Sequence, residues 1–176
     1  MTSSIAQQDT ATMPALKIRH STQPADYAFL GARVRILLSG DHTGGQFSLL
    51  DGTLPSGSDS GMHIHRHEDE SLHLVAGELE VTIGERTSYL SAGDSCFTPR
   101  GTPQRVRNLS DLPAKVVIVM TPGGHDRFVA QAGERLAPGQ RLPDVVPLSR
   151  PAREQFLAVA SAYGVDMVPA PEMLYG

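Results

Sequence analysis

From about Ala32 the chain runs in short bursts of alternating apolar and polar residues separated by turn residues. Val34, Ile36 and Leu38 alternate with Arg33, Arg35 and Leu37, the period-two pattern of a strand with one buried face. The segment 39–45 reads as a loop, and Phe47 and Leu49 begin another strand that ends at the loop 54–61. A further strand carries His63 to His65, and SLHLVAG (71–77) runs into a turn at Gly77-Glu78. Leu79, Val81 and Ile83 then alternate with Glu80 and Thr82. Gly84, Gly93-Asp94 and Pro99 to Gly101 are turn signals at regular spacing. KVVIVMT (115–121) is an unbroken apolar run, which predicts a strand buried on both faces. Many short strands at this spacing predict an all-β sandwich or barrel. Phe47, Leu49, Leu72, Leu74 and Val81 are the expected interior.

Helical patterns come only after this region. HDRFVAQAGERL (125–136) has Asp126 in its first turn and a glycine that weakens its end. PAREQFLAVASAYG (151–164) is the stronger pattern, with Pro151 suited to a first helical position and Gly164 to a C-terminal cap. Its apolar stripe is predicted to be Phe156, Leu157, Val159, Ala160 and Tyr163. The organisation expected is a flexible arm over 1–25, a barrel over 26–122, and a helical extension over 123–176 packed on that barrel.

At 176 residues the chain fits one domain with short extensions. Gly 17 and Pro 13 with few aromatics agree with a turn-rich β design. The net charge of −4 argues against a nucleic-acid partner, since phosphate binding calls for a basic excess. Cys96 is the only cysteine, so no intramolecular disulfide can form, which is consistent with a reducing compartment. The first 20 residues lack an apolar core of signal-peptide length, and no later run suits a membrane span. The expectation is a cytoplasmic protein with no membrane partner.

The segment carrying chemistry is GSDSGMHIHRHEDESLHLVAG (57–77). His63 and His65 lie two apart, so on a strand both imidazoles point to one face. Glu70 opens the next strand after a short polar loop, and bringing that strand back beside the first puts its carboxylate near both rings. Two neutral imidazoles and one carboxylate make a facial triad with open positions, the arrangement of non-haem Fe(II) oxygenases.

The full spacing resembles the cupin superfamily. Gly57, His63, His65, Glu70 and Gly77 match its first motif, and Gly93, Pro99, Gly101, Gln104 and Asn108 follow as its second. The resemblance covers about residues 32–122 and implies a small antiparallel cupin (jelly-roll) barrel whose mouth holds one divalent metal ion. Fe(II) is favoured, with Mn(II), Ni(II) or Zn(II) as alternatives. Where the family usually supplies a third histidine, this chain has Gln104. Its carbonyl oxygen would be a weak, hard ligand. The alternatives are that Gln104 positions substrate or an oxygen species, or that metal affinity is lost.

SGDHTGGQFSLLDGTLPSG, HIHRHEDESLHLVAGELEVTIGER, TPGGHDRF and the tail AYGVDMVPAP look like small bacterial cupins of the quercetin 2,3-dioxygenase-like kind. That resemblance implies a dioxygenase taking O₂ and a small enolisable or aromatic, flavonoid-like compound, with Glu70 as general base. It also implies a homodimer. The alternatives are a metal-dependent isomerase, cyclase or lyase working through an enolate, and a non-catalytic cupin that binds a small ligand.

The remaining candidates have plainer readings. His67 is expected to be solvated or gating, and His73 to serve packing or an interface on the strand face opposite Glu70. His20, His42 and His125 lie in loops or arms, with nothing to tie them to the site. Cys96 is expected to be a small buried hydrophobe facing the same way as Thr98. Arg105 and Arg107 read as solvent-facing, with an anion clamp as the alternative.

Overall fold

The computed structural model describes residues 25–144 and 148–168. All of the expected arm except Ala25, with His20, lies outside the described residues, as does the end of the tail. The barrel strands are β1 (Ala25–Phe29), β2 (Ala32–Leu38), β3 (Ser48–Leu54), β4 (His63–His65), β5 (Asp69–Ala76), β6 (Glu78–Ile83), β7 (Arg86–Ser91), β8 (Ser95–Thr98), β9 (Pro103–Arg107) and β10 (Ala114–Thr121). Helix α1 (His125–Ala132), β11 (Glu134–Leu136), helix α2 (Arg150–Ala162) and β12 (Val165–Met167) follow.

The strands form two antiparallel sheets. One has the order β11-β1-β2-β3-β10-β5-β8 and the other β12-β4-β9-β6-β7. This is a mostly β jelly-roll of the cupin type with two short helices behind it.

Alternation works where a strand has one wet face. In β5, Glu70, Leu72 and Leu74 are buried while Ser71, His73 and Val75 are exposed. The same reasoning picked the wrong phase in β3. Ser48, Leu50 and Gly52 face inward, and Phe47 and Leu49 are only half-buried. Gly52 has no room for a side chain, because a Cβ there would sit 2.7 Å from Val116. An inward serine and glycine carry no hydrophobic signal, so the pattern reads one residue out of step. In β10 only Ala114, Val116 and Met120 are fully buried, while Val117 and Val119 on the other face are half-buried. The run predicted to be buried on both faces is therefore central, between β3 and β5, but fully buried on one face only, and there at Ala114, Val116 and Met120.

Leu72, Leu74, Leu79, Val81, Leu90, Val106, Ala114 and Val116 form a tight core at one end of the barrel. Tyr27, Val34, Ile36, Leu50, Met120 and Val129 form a second cluster. Phe128, Ala160 and Val165 join the helices to the barrel.

The helix expected over 125–136 is shorter. It stops at Ala132, and Glu134–Leu136 instead pairs with β1. Gly133 makes this change of course, since a Cβ there would lie 2.7 Å from the Val129 carbonyl oxygen and 3.2 Å from Tyr27. Helix α2 matches its pattern more closely: Ser149 caps it and Pro151 occupies its first turn. Phe156, Val159 and Tyr163 pack inward around Ala160, while Leu157, expected in the stripe, is exposed. Beyond the helix, β12 adds an edge strand to β4, a pairing no local pattern announces.

Candidate metal centre

Strand β4 holds His63 and His65 on one face, with ring centroids 5.0 Å apart and ring planes nearly perpendicular. Glu70 comes from β5 in the opposite sheet. The two strands are therefore not neighbours, as the sequence reading had them; the loop 66–68 carries the chain across the barrel between sheets. Facing sheets bring the groups together as effectively as adjacent strands. His65 Nε2 lies 3.4 Å from Glu70 Oε2, and donor atoms of His63, His65 and Glu70 all fall within 4.8 Å of one another.

The surroundings orient these groups. His63 Nδ1 lies 2.9 Å from the Gly61 carbonyl oxygen, so a proton on Nδ1 donates there and leaves Nε2 facing inward with its lone pair. Burial, followed by repulsion from His65, pushes the His63 imidazolium pKa down despite Glu70. A neutral ring is the ligating form. Burial pushes the Glu70 carboxyl up, but the His65 hydrogen bond and the nearby imidazoles outweigh it and hold it at about 2. Two inward nitrogens and an ionised carboxylate at this spacing fit a divalent cation.

Gln104 stands opposite His63 in the β4–β9 pairing and is 2% exposed. Its Nε2 donates to Glu70 Oε2 at 2.6 Å and lies 3.5 Å from His63 Nε2. The amide orientation follows from its partner, because an oxygen turned toward Glu70 at that distance would set two acceptors against each other.

His125 is the correction. It opens α1 rather than lying in a loop, and its ring centroid sits 5.0 Å from that of His65. Burial pushes its pKa down to about 3. The available signal was TPGGHDRF, a histidine placed where a Gly-Gly pair lets the chain turn back after the last barrel strand. Sequence reasoning also passed over Glu68, which is buried, with Oε2 lacking a hydrogen-bond partner among the described residues. Burial raises its pKa.

The other candidates sit elsewhere. His67 is exposed against Gly164, and exposed His73 pairs with Ser95 Oγ at 2.9 Å. His42 bonds Ser39 in an exposed loop. Arg105 is committed to Asp59 and Arg107 to Glu80, which leaves neither free as an anion clamp. Cys96 packs on the tight core, and burial pushes its thiol up to about 11.

The cluster opens into a cavity of about 130 Å³. His63, His65, Glu70 and His125 lie on its wall beside Phe29, Leu50, Leu72, Val106, Ile118, Met120, Phe128 and Phe156. Among the described residues, no helix is long and apolar enough to cross a membrane.

Residues 51–120 match the family model described as "Cupin domain". The tetracenomycin polyketide synthase protein TcmJ of Streptomyces glaucescens is 29% identical over 93 residues, covering 52% of this chain and 62% of that protein. The alginate biosynthesis protein AlgA of Pseudomonas putida is 28% identical over 78 residues, 44% of this chain and 16% of that protein. The chain thus spans less than two thirds of either relative. An RmlC-like cupin from Shewanella frigidimarina, 19% identical, superposes with a TM-score of 0.52 over 62% of this chain and 93% of that one. The segment 51–120 is thus similar to a cupin domain, and the barrel shares the fold of that solved structure.

Proposed function

We propose that this chain is a metal-dependent enzyme, a dioxygenase acting on a small enolisable or aromatic compound. The observation that carries the reading is the convergence of His63, His65 and Glu70 donors within 4.8 Å on the wall of an apolar cavity. When bound, a divalent cation, Fe(II) first, supplies Lewis acidity toward substrate oxygens and a template for O₂. His63 and His65 hold it through Nε2. Glu70 would complete the set with its carboxylate, which the Gln104 amide fixes at Oε2, and its Oε1 would be the base for the substrate's proton. Gln104 is proposed to position that carboxylate rather than to ligate.

The hydrophobic walls exclude water and bind the carbon skeleton. A cavity of about 130 Å³ suits one ring at a time, since an engineered cavity of ~150 Å³ takes up benzene. A flavonoid-sized molecule would need the opening as well. The chain is further proposed to pair as a homodimer. Val75 and Phe97, 50% and 57% exposed on the outside of the larger sheet, support this.

The test is oxygen uptake by protein reconstituted with Fe(II) and offered small phenols, flavonols and 1,3-diketones. Uptake coupled to substrate loss, abolished by a chelator and by His63→Ala, is the expected result. A His63→Ala variant with full metal content and turnover would refute the assignment. Conversion without oxygen uptake would instead favour a cyclase or isomerase acting through an enolate. The likeness to a polyketide synthase protein makes this the second reading, because polyketide chains are enolisable.

A further inference from the structure

We propose that His125 is a third imidazole ligand to the same cation, supplied by helix α1 because strand β9 offers Gln104 at the position where a third histidine would stand. This inference rests on the metal-dependent reading above and deepens it.

Three observations carry it. The His125 ring lies 5.0 Å, centroid to centroid, from that of His65, the same separation as between His63 and His65. It lines the same cavity as the triad. Its Nδ1 is buried without a hydrogen-bond partner among the described residues, a state that structures seldom leave uncompensated.

The backbone carrying His125 is also held in place. Gly123 donates to the Gly45 carbonyl at 2.9 Å, and a Cβ on Gly123 would stand 2.7 Å from Gly40 Cα. Asp126 Oδ1 accepts from the Gly40 amide at 3.1 Å. Phe29 and Phe128 meet the imidazole edge-on, with centroids 6.5 and 5.5 Å away. The anchored first turn therefore leaves the ring little freedom except rotation about its own side-chain bonds. His125 stands outside the group whose donors lie within 4.8 Å, so loading requires that rotation.

The test uses the full chain and Co(II) as the probe. Affinity is measured by chelator competition, and bound imidazoles are counted from hyperfine-shifted exchangeable N–H resonances. His125→Phe keeps an aromatic ring against Phe29 and Phe128, His125→Ala removes it, and circular dichroism checks that both fold. The wild type is expected to show three imidazole signals. Both variants should show two and bind Co(II) at least about 100-fold more weakly, since loss of a direct ligand exceeds the ~10–100-fold that goes with losing an orienting partner. If wild type and His125→Phe share one affinity within about threefold and both show two signals, this inference is overturned while the metal-dependent reading stands. If the wild type takes up no Co(II), both fall together.

Discussion

The two ends of the barrel are built to opposite specifications. At one end Leu74 and Ala114 are 0% exposed and pack with Leu79, Val81 and Leu90, while Leu72, Val106 and Val116 of the same cluster reach the cavity. At the other end His65, Glu70 and Gln104 are buried among their own polar atoms beside a cavity. Burying polar groups costs stability unless each finds a partner. His65 Nδ1, Glu68 Oε2 and His125 Nδ1 find none among the described residues. The packed end holds the fold, and the mouth spends part of that stability on preorganised donors.

The largest effect expected is loss of metal. His65→Ala should weaken Co(II) binding by at least about 100-fold, taking the loss of a direct ligand to exceed the loss of an orienting partner. Its thermal stability without metal should stay within about 1 kcal/mol of wild type. A large loss of stability would mean that the mouth also supports the fold.

Leu74→Ala should do the reverse. Truncating a fully buried leucine costs about 2–5 kcal/mol by denaturant unfolding, while Co(II) affinity should change less than about threefold. A tenfold change in affinity would dissolve the distinction between the two ends.

Glu68 gives a smaller, pH-dependent effect. Burial raises its folded pKa above the unfolded value, so its contribution favours the fold in acid and is lost as pH rises through the folded pKa. Glu68→Met should therefore raise the melting temperature more at pH 8 than at pH 4, by about 2–4 °C for each ~1 kcal/mol gained. A larger gain at pH 4 would reverse the assigned sign.

The smallest effect concerns Cys96. With its thiol pushed up to about 11, it should resist alkylation by iodoacetamide at pH 7.5 in the folded protein and react once unfolded. Rapid alkylation of the native state would show that the tight end opens more readily than its packing implies.

Legibility in the sequence divides along the same line. The alternation in β5 and the HxH spacing sufficed to place Leu72 and Leu74 inside and to group His63, His65 and Glu70. Period and spacing are local, and these residues obey local rules. In β6 Val81 is buried as expected, but Glu80, read on the wet face, is buried too against Arg107. In β3 the inward faces are Ser48 and Gly52, whose chemistry hides the strand's phase. His125 escaped because its place depends on backbone contacts between 123–126 and the loop 40–47, which no periodicity encodes. The pairing of β12 with β4 is likewise a long-range event, between residues about a hundred positions apart.

That last pairing has a consequence for the donors themselves. Strand β4 is three residues long and meets β9 through only His63 and Ile64. Its other edge is covered by Val165, Asp166 and Met167, flanked by bonds from the Arg66 amide to Gly164 and from the Val168 amide to Met62, each 2.8 Å. The late segment thus works as a clasp on the histidine strand. Clipping the chain after Ala162 would unfasten the two imidazoles without touching either of them, and would bare a strand edge open to pairing with other chains.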